Sequence, residues 1–424
     1  MISDEACTDS SLGSDLFGAT WTESVKLSHA NGAISHLSYC SNIHPGESWA
    51  EVRDNLTRYM PQIRQAMSPD DEFGIGLRLS ADAVGDLAAP AALAEFKTFL
   101  TDNKLYVFTI NAFPYGQFHG TRVKEDVYLP DWQDKERLRY TNQVADVFAE
   151  ILPADQIGSI STVPGAFKAR INNVEDIWSI ARNMVKHVAH LVELEQRLGR
   201  SIVLALEPEP CCFLETIEES VDFFSDYLFS RESQKQLADL LGLDPDDTEI
   251  LLRKHLTLCL DLCHAAVEFE SYDSCIAELR SAGIDIGKVQ ISAGLRLENV
   301  TRDTINILRP FEDNVYLHQV VERCNGSLNR YADLADAFTA LSDDNVAREW
   351  RVHFHVPVFL DDLGDFSSTQ FFVREALEKQ RKDPVSTHLE VETYTWNVLP
   401  EQYRTQSMDA AIVRELQWVR EILS

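Results

Sequence analysis

The segment IVLALE (202–207) is an apolar run that ends in a carboxylate, and LTLCLD (256–261) repeats this arrangement. Short runs rich in Leu, Ile and Val are typical of strands buried in a parallel sheet. On both sides of these two segments the chain contains further candidate strands of the same kind: HLSYC (36–40), FGIGLRL (73–79), LYVFTIN (105–111), IGSISTV (157–163), KVQIS (288–292), RVHFHV (351–356) and HLEVE (388–392).

Amphipathic helical patterns separate these strands. Ser48 and Glu51 have the spacing of a helix capping box, and residues 172–199 carry a long one-sided apolar stripe. Alternating strands and helices predict a parallel α/β sheet, and this number of units predicts a closed (β/α)8 barrel. Because nine candidates are one too many, we assign RVHFHV rather than KVQIS as the spare strand. We expect it to pair with VYLHQV (315–320) in a β-hairpin region inserted before the last strand.

Composition limits the remaining classes of protein. The chain has 424 residues, 45% of them hydrophobic, and a formal net charge of −30. This charge argues against binding to nucleic acid or to anionic membranes. The chain has no GxGxxG or GxxxxGK[ST] motif and no apolar stretch of membrane-spanning length. We predict a flexible lead-in over 1–30, a single barrel domain over 31–424 and, since there is no signal peptide or CxxC pair, a cytoplasmic location.

Polar residues with metal-binding side chains recur at the ends of the predicted strands. A carboxylate inside an apolar strand is costly unless it is paired or bound to metal. Carboxylates break three such strands, so we expect them to converge at the carboxyl end of the barrel. Oxygen-rich donors favour Mn²⁺ or Mg²⁺, with Zn²⁺ as the alternative. The residues concerned are Glu207, Asp261 and His264, His353 and His355 on one face of RVHFHV, and Glu390 and Glu392 on one face of the last strand.

From about residue 36 to 396 the chain resembles the xylose isomerase-like TIM barrels. In that superfamily, sugar epimerases and hydroxypyruvate isomerase bind one divalent metal through residues on four successive strands. LEPEPCCFLET resembles the strand that supplies the first ligand, which implies Glu207 as ligand and Glu215 on the substrate side. DLCH resembles the Asp-x-x-His segment, which implies Asp261 as ligand and His264 beside the substrate.

Two further segments complete this resemblance. KVQISAGLR resembles the hydroxypyruvate isomerase segment in which Gln binds metal, which implies Gln290 as ligand and Arg296 at the substrate. VETYTW resembles the last strand and implies Glu392 as ligand. Glu390 is the alternative to Glu392, and His355 is the alternative to Gln290. We otherwise predict that His353 and His355 contact the substrate.

A narrower resemblance covers nearly the whole chain. The segments SYCSNIHPGESW, TVPGAFK, YLHQVVE, HFHVPVF and HLEVETYTW together resemble the E proteins of the Ebo cluster. That family is associated with metabolite traffic, and its operons also encode a prenyltransferase-like membrane protein. The resemblance therefore implies that membrane protein as a partner, in addition to a small-molecule substrate.

Three functions are compatible with these features. The first is a metal-dependent isomerase or epimerase of a small hydroxy-carbonyl compound, in which Glu207 and Glu392 act as base and acid. The second is a non-catalytic metabolite carrier or scaffold with a vestigial metal site. The third, a DNA-repair nuclease on the same barrel, requires a basic surface, which a net charge of −30 opposes.

Overall fold

The computed structural model describes residues 24–119, 124–312, 315–342, 346–404 and 406–424. Its main sheet has nine strands, of which eight are parallel. Neighbours in the sheet follow the order β1-β2-β14-β8-β7-β6-β5-β4-β3. The strands are β1 (Lys26–Ser28), β2 (Ile34–Tyr39), β3 (Phe73–Arg78), β4 (Leu105–Asn111), β5 (Gly158–Thr162), β6 (Ile202–Leu206), β7 (Leu256–Asp261), β8 (Ile286–Ile291) and β14 (His388–Val391).

The two ends of the parallel strand order meet and close the sheet. A parallel bridge joins Cys40, just after β2, to Gly76 in β3. The Ser38 hydroxyl donates to the Gly74 carbonyl (2.7 Å) and accepts from the Gly76 N–H (3.1 Å). The predicted α/β barrel therefore forms. The small strand β1 pairs antiparallel with β2, and Val25 is fully buried, so the described part of the predicted lead-in packs on the barrel. Residues 1–23 of the lead-in lie outside the described residues.

Helices cover the outside of the barrel. Ser48 caps the first of them with the predicted capping box. No helix in the described ranges is both long and apolar enough to cross a bilayer. The helices are α1 (Trp49–Met67), α2 (Ala81–Leu87), α3 (Pro90–Asp102), α4 (Lys135–Ile151), α5 (Val174–Leu198), α6 (Ile217–Phe223), α7 (Arg231–Leu241), α8 (Glu249–His255), α9 (Leu262–Val267), α10 (Tyr272–Ala282), α11 (Arg302–Leu308), α12 (Leu334–Ala340), α13 (Gln370–Lys382) and α14 (Met408–Leu423).

A second sheet lies in the chain between β8 and β14. Its five strands are antiparallel and follow the order β11-β10-β12-β9-β13. The RVHFHV segment belongs to its central strand and not to the barrel, while KVQIS belongs to barrel strand β8. The predicted pairing with 315–320 is shifted: the described pairing starts near Val320 and continues to Cys324. The strands are β9 (Ala293–Leu297), β10 (Val320–Cys324), β11 (Ser327–Tyr331), β12 (Arg348–Val356) and β13 (Ser367–Ser368).

The barrel interior contains a buried ion pair. Lys288 of β8 and Glu390 of β14 are both fully buried, and their charged atoms lie 2.5 Å apart. The Lys288 ammonium also donates to the Ser161 hydroxyl (3.1 Å). A Cβ on Gly76 would lie 1.8 Å from Oε1 of Glu390, so glycine at that position makes room for the carboxylate. Any larger residue at position 76 would clash with the Glu390 side chain.

A buried carboxyl group joins α14 to the barrel and yields a testable pH dependence. Glu415 is 2% exposed, and it accepts hydrogen bonds from Val358 N–H (3.0 Å) and the Thr393 hydroxyl (2.7 Å). Burial raises its pKa from 4.5 to about 7. The folded chain therefore retains a proton that the unfolded chain has lost between these pH values, and the free energy of unfolding falls as pH rises through this window.

We expect Glu415→Gln to remove this pH dependence, since a neutral amide keeps both acceptor positions of the oxygen. The variant should match the parent near pH 4.5 and exceed it above pH 7 by up to about 3 kcal/mol, at about 1.4 kcal/mol per pH unit. Urea unfolding at a series of pH values measures this difference. Parallel stability profiles for the two proteins would contradict the prediction.

Candidate functional site

A cavity of about 40 Å³ lies at the carboxyl ends of the barrel strands. Parallel strands bring the residues at their carboxyl ends to one edge, which is where such barrels place their sites. The cavity is large enough for several water molecules or a metal ion. Its polar lining comes from both the barrel and the second sheet: Asn42, Glu207, Glu209, His264, His353, His355 and Glu392.

Three buried carboxyl groups are here named the carboxylate cluster: Glu207, Asp261 and Glu392 are 6%, 2% and 4% exposed. Glu207 and Glu392 line the cavity, as Glu209 does, and Asp261 lies beside Glu207. Burial and the neighbouring negative charges of Glu392 and Asp261 raise the pKa of Glu207 well above its ordinary value. Burial, with the charges of Asp261 and Glu390, raises the pKa of Glu392 to about 8. Three acids in one dry site repel each other unless a proton or a cation compensates them.

The acids differ in their hydrogen bonding. Glu392 is held by three amides, since it accepts from Asn42 (2.8 Å), Asn111 (3.1 Å) and Gln290 (2.5 Å). Oε2 of Glu207 and Oδ2 of Asp261 have no hydrogen-bond partner among the described residues. Unpartnered buried carboxylate oxygens carry a free-energy cost that a bound cation would remove.

Three histidines, named here the histidine cluster, stand beside these acids. His264 follows β7, and His353 and His355 project from the same face of β12. Within the described chain, three overlapping groups of side chains have all their ligand atoms within 4.8 Å of one another. These groups are Glu207–Asp261–His264, Asp261–Cys263–His355 and His264–His353–His355. The residues present therefore fit a divalent cation.

The structure brings together six of the residues predicted from sequence, namely the carboxylate and histidine clusters. Glu390 takes its place below them in the ion pair with Lys288. Gln290 also points into this region, but its amide is engaged on both sides. Its nitrogen donates to Glu392 (2.5 Å), and its oxygen accepts from the Cys259 thiol (2.7 Å). Gln290 therefore orients Glu392, and its role as a metal ligand stays a prediction.

Two residues predicted to contact substrate are not among those that line the cavity within the described ranges. Glu215 forms an ion pair with Lys168 and accepts from Cys211 N–H (2.7 Å), so the turn after β6 uses this carboxylate. Arg296 lies opposite Arg351 on the neighbouring strand, and Glu349 pairs with both arginines. Both charged groups are thus engaged in ion pairs outside the cavity lining.

A strand outside the barrel reaches the site. β12 belongs to the second sheet, and it still delivers His355, the predicted alternative to Gln290, to the cavity. The site therefore contains more histidines than the ends of the predicted strands indicated. The preference for Mn²⁺ or Mg²⁺ over Zn²⁺ rested on oxygen-rich donors, and these histidines remove its basis.

Sequence reasoning missed three amides that hold the site. Asn42 and Asn111 bind Glu392, and Gln319 accepts from Nδ1 of His353 (2.8 Å). Asn111 ends the apolar run LYVFTIN, so the rule that identified the carboxylates could have found it. Nothing local distinguishes Gln319, because its role depends on how the second sheet packs against the barrel.

Aromatic rings cover the outer side of the cavity. Phe118, Tyr316 and Tyr394 come from three different segments, and their ring centroids lie 5.1 to 5.4 Å apart. All three line the cavity. Such packing shields the polar cluster from water and limits the size of a molecule that fits beside it.

These features define a closed α/β barrel with a buried acidic and histidine-containing site at its strand ends. No family model matches the sequence, and no curated protein matches it. Among solved structures, the chain is similar to a xylose isomerase domain protein from Planctomyces limnophilus. The identity is 10%, the match covers 82% of this chain and 88% of that chain, and the TM-score is 0.46.

Two other solved structures show a likeness of the same order. One is a xylose isomerase-like TIM barrel protein from Mycobacterium smegmatis in complex with magnesium, with 12% identity, coverage of 94% and 93%, and a TM-score of 0.43. The other is a probable 3-DHS dehydratase from Bacillus anthracis, with 11% identity, coverage of 90% and 97%, and a TM-score of 0.43. The barrel itself is established by the strand pairing described above.

Proposed function

We propose that this protein is a metal-dependent isomerase or epimerase that moves a proton at the carbon beside a carbonyl in a small hydroxy-carbonyl compound. The observation that carries the proposal is that Glu207 and Glu392 line one buried cavity together with the histidine cluster. Burial and neighbouring acids raise the pKa of Glu207 well above its ordinary value and the pKa of Glu392 to about 8, and such shifts favour proton transfer by carboxyl groups.

The carboxylate cluster would hold the divalent cation, with Gln290 or His355 as the fourth ligand. When bound, the cation supplies Lewis acidity that stabilises negative charge developing on substrate oxygens. Glu207 has a free Oε2 with which to accept a proton. Glu392 is fixed in direction by its three amide donors, and without a cation its pKa is raised to about 8.

The surroundings support a small substrate and argue against nucleic acid. The aromatic cover leaves a cavity of about 40 Å³, which is far below the volume of a nucleotide-sized pocket. Arginines that could have made the cavity mouth basic are instead paired with glutamates. The pairs are Arg78–Glu47, Arg296–Glu349, Arg323–Glu349 and Arg330–Glu268.

The resemblance to the Ebo-cluster E proteins supports a cytoplasmic role in metabolite traffic, with the prenyltransferase-like membrane protein as partner. A carrier would use the same cavity without turnover. The buried, unpartnered oxygens of Glu207 and Asp261 favour catalysis over this alternative, because simple binding of an apolar metabolite has no need of them.

Deuterium exchange tests the proposal directly. The full chain is supplied with Mn²⁺, Mg²⁺ or Zn²⁺ in heavy water, and proton NMR follows exchange beside the carbonyl in hydroxypyruvate and in aldose–ketose pairs. We expect exchange that Glu207→Gln and Glu392→Gln each reduce by about 10²- to 10⁴-fold, the range for general acid–base groups. Glu215→Gln is the control, because its carboxylate lies outside the cavity lining and its loss should leave exchange intact. Stoichiometric metal without any exchange would favour the carrier.

A further inference from the structure

The protonation of the histidine cluster can be assigned from its hydrogen bonds. Nδ1 of His264 lies 2.9 Å from the Pro208 carbonyl, and Nδ1 of His355 lies 2.9 Å from the Glu392 carbonyl. A carbonyl oxygen only accepts, so each of these Nδ1 atoms carries a proton. In a neutral imidazole the other nitrogen, Nε2, then carries a lone pair.

The third histidine follows the same pattern through a side-chain amide. Nδ1 of His353 lies 2.8 Å from Oε1 of Gln319. The amide nitrogen of Gln319 is engaged elsewhere, with the Tyr128 hydroxyl (3.0 Å) and the Pro210 carbonyl (3.2 Å). The amide oxygen therefore faces His353, whose Nδ1 is the donor and whose Nε2 is bare.

These three rings thus meet in a buried site with their Nε2 atoms bare, and each ring offers one nitrogen within 4.8 Å of a nitrogen of the other two. Nε2 of His264 and Nε2 of His353 are 3.1 Å apart, although neither has a proton to offer the other. Nε2 of His355 has no hydrogen-bond partner in the described part of the chain. The Tyr394 hydroxyl is 3.4 Å from Nε2 of His353, which is a long contact and reaches only one of the three. Buried acceptors left in this way are unfavourable.

From this geometry we infer that His264, His353 and His355 bind a zinc-class ion through their Nε2 atoms. Zinc bonds to imidazole are about 2.0–2.1 Å long, and tetrahedral geometry then sets the nitrogens roughly 3.3 Å apart. The 3.1 Å between His264 and His353 is close to this value. An imidazole that binds zinc usually donates its other N–H to a carbonyl or a carboxylate, as all three do here.

The second sheet supplies two of these ligands. Side chains two residues apart point to the same face of a strand, so β12 presents His353 and His355 together to His264 at the end of β7. The inference goes beyond the proposed function, because its ion is held by the histidine cluster, which lies in the same cavity beside the carboxylate cluster. Its readout is zinc content, which does not require turnover, so the two proposals can fail separately.

Zinc binding is tested on the full chain after removal of metal with a chelator. We expect stoichiometric uptake of Zn²⁺ by elemental analysis and, after reloading with Co²⁺, the strong visible absorption of a tetrahedral nitrogen-ligated ion. A chain that takes up no stoichiometric zinc, and whose Co²⁺ form shows only weak octahedral absorption, would overturn the inference and leave a shared proton between His264 and His353. This arm needs no substitution.

Substitutions identify the ligands. His353→Asn and His355→Asn keep a donor near the Nδ1 position and delete Nε2. We expect each to weaken Zn²⁺ binding by more than about 100-fold, since loss of an outer partner alone costs about 10- to 100-fold. Gln319→Met, which removes such an outer partner, should fall within that smaller range. His190→Asn is the matched control, because this histidine lies on α5 and contacts Asp146. Unchanged zinc affinity in both cluster variants, with folded circular dichroism spectra, would refute the assignment.

The failure of one proposal is visible without the other. Zinc bound by the parent and lost in His353→Asn, with no deuterium exchange on any compound, would retain the zinc site and remove the isomerase. A chain that takes up no stoichiometric zinc, but shows exchange when loaded with Mg²⁺, would retain the isomerase and remove the zinc site.

Discussion

Lys288→Met is expected to lower the free energy of unfolding by about 3–5 kcal/mol, the usual effect of removing one partner from a buried ion pair. The substitution leaves the Glu390 carboxylate fully buried and removes the ammonium that lies 2.5 Å from it. The nearby acid Glu392 adds repulsion. The measurement is urea unfolding followed by circular dichroism, with the slope of the transition used to check two-state behaviour.

Two controls separate the ion pair from its surroundings. The double variant Lys288→Met with Glu390→Leu should recover most of the loss, because replacing both charges with apolar groups is often neutral. Lys379→Met removes a partly exposed lysine that pairs with Asp273 and Glu375, and exposed pairs contribute only about 0–1 kcal/mol. Equal losses for Lys288→Met and Lys379→Met would contradict a buried pair.

Asp261→Asn is expected to abolish stoichiometric binding of Mn²⁺ or Mg²⁺ at the carboxylate cluster while the chain stays folded. Asp261 belongs to two of the three candidate ligand groups, and its Oδ2 has no other partner among the described residues. An asparagine oxygen can still accept from His264 N–H (2.9 Å) and Ser292 (2.7 Å), so the start of α9 should persist. Elemental analysis after dialysis measures the metal bound per chain.

The difference in melting temperature between parent and variant should change sign when metal is added, and this change distinguishes a metal ligand from a purely structural acid. After treatment with a chelator, Asp261→Asn should melt above the parent, because the charge of Asp261 raises the pKa values of both Glu207 and Glu392. With metal present, the parent should melt above the variant. Asp134→Asn is the control, because it makes the same substitution at the N-cap of α4. We expect it to leave the difference in melting temperature unchanged with and without metal. A variant less stable under both conditions would make Asp261 a structural residue.

The barrel was predictable because its signal is local. Buried parallel strands appear as continuous apolar runs, and every one of the eight parallel strands coincides with a predicted run to within about two residues. The exceptional residues inside those runs, Glu207, Asp261 and Glu390, also stand out one by one. Since parallel strands share an edge at their carboxyl ends, the meeting of Glu207, Asp261 and one glutamate of the last strand followed from the chain alone.

Other features depended on which segments pack together. Glu390 and Glu392 have the same local pattern, and only the depth of each within the barrel makes one the partner of Lys288 and the other a cavity residue. Glu215 and Arg296 belong to the segments that carried the resemblance. Each forms an ion pair, with Lys168 and Glu349 respectively, and neither is among the described residues that line the cavity. Such pairings join residues distant in sequence, so no local pattern specifies them.

The sequence by itself determined the strand–helix order, the closed barrel and the convergence of acids at its carboxyl end, since these follow from hydrophobic periodicity and the geometry of parallel strands. Only the tertiary structure decided that a strand outside the barrel brings His353 and His355 to His264, and that each ring presents a bare Nε2. The physical reason is that the protonated nitrogen of a histidine is set by its hydrogen-bond acceptor, and those acceptors become neighbours only when the second sheet packs over the site.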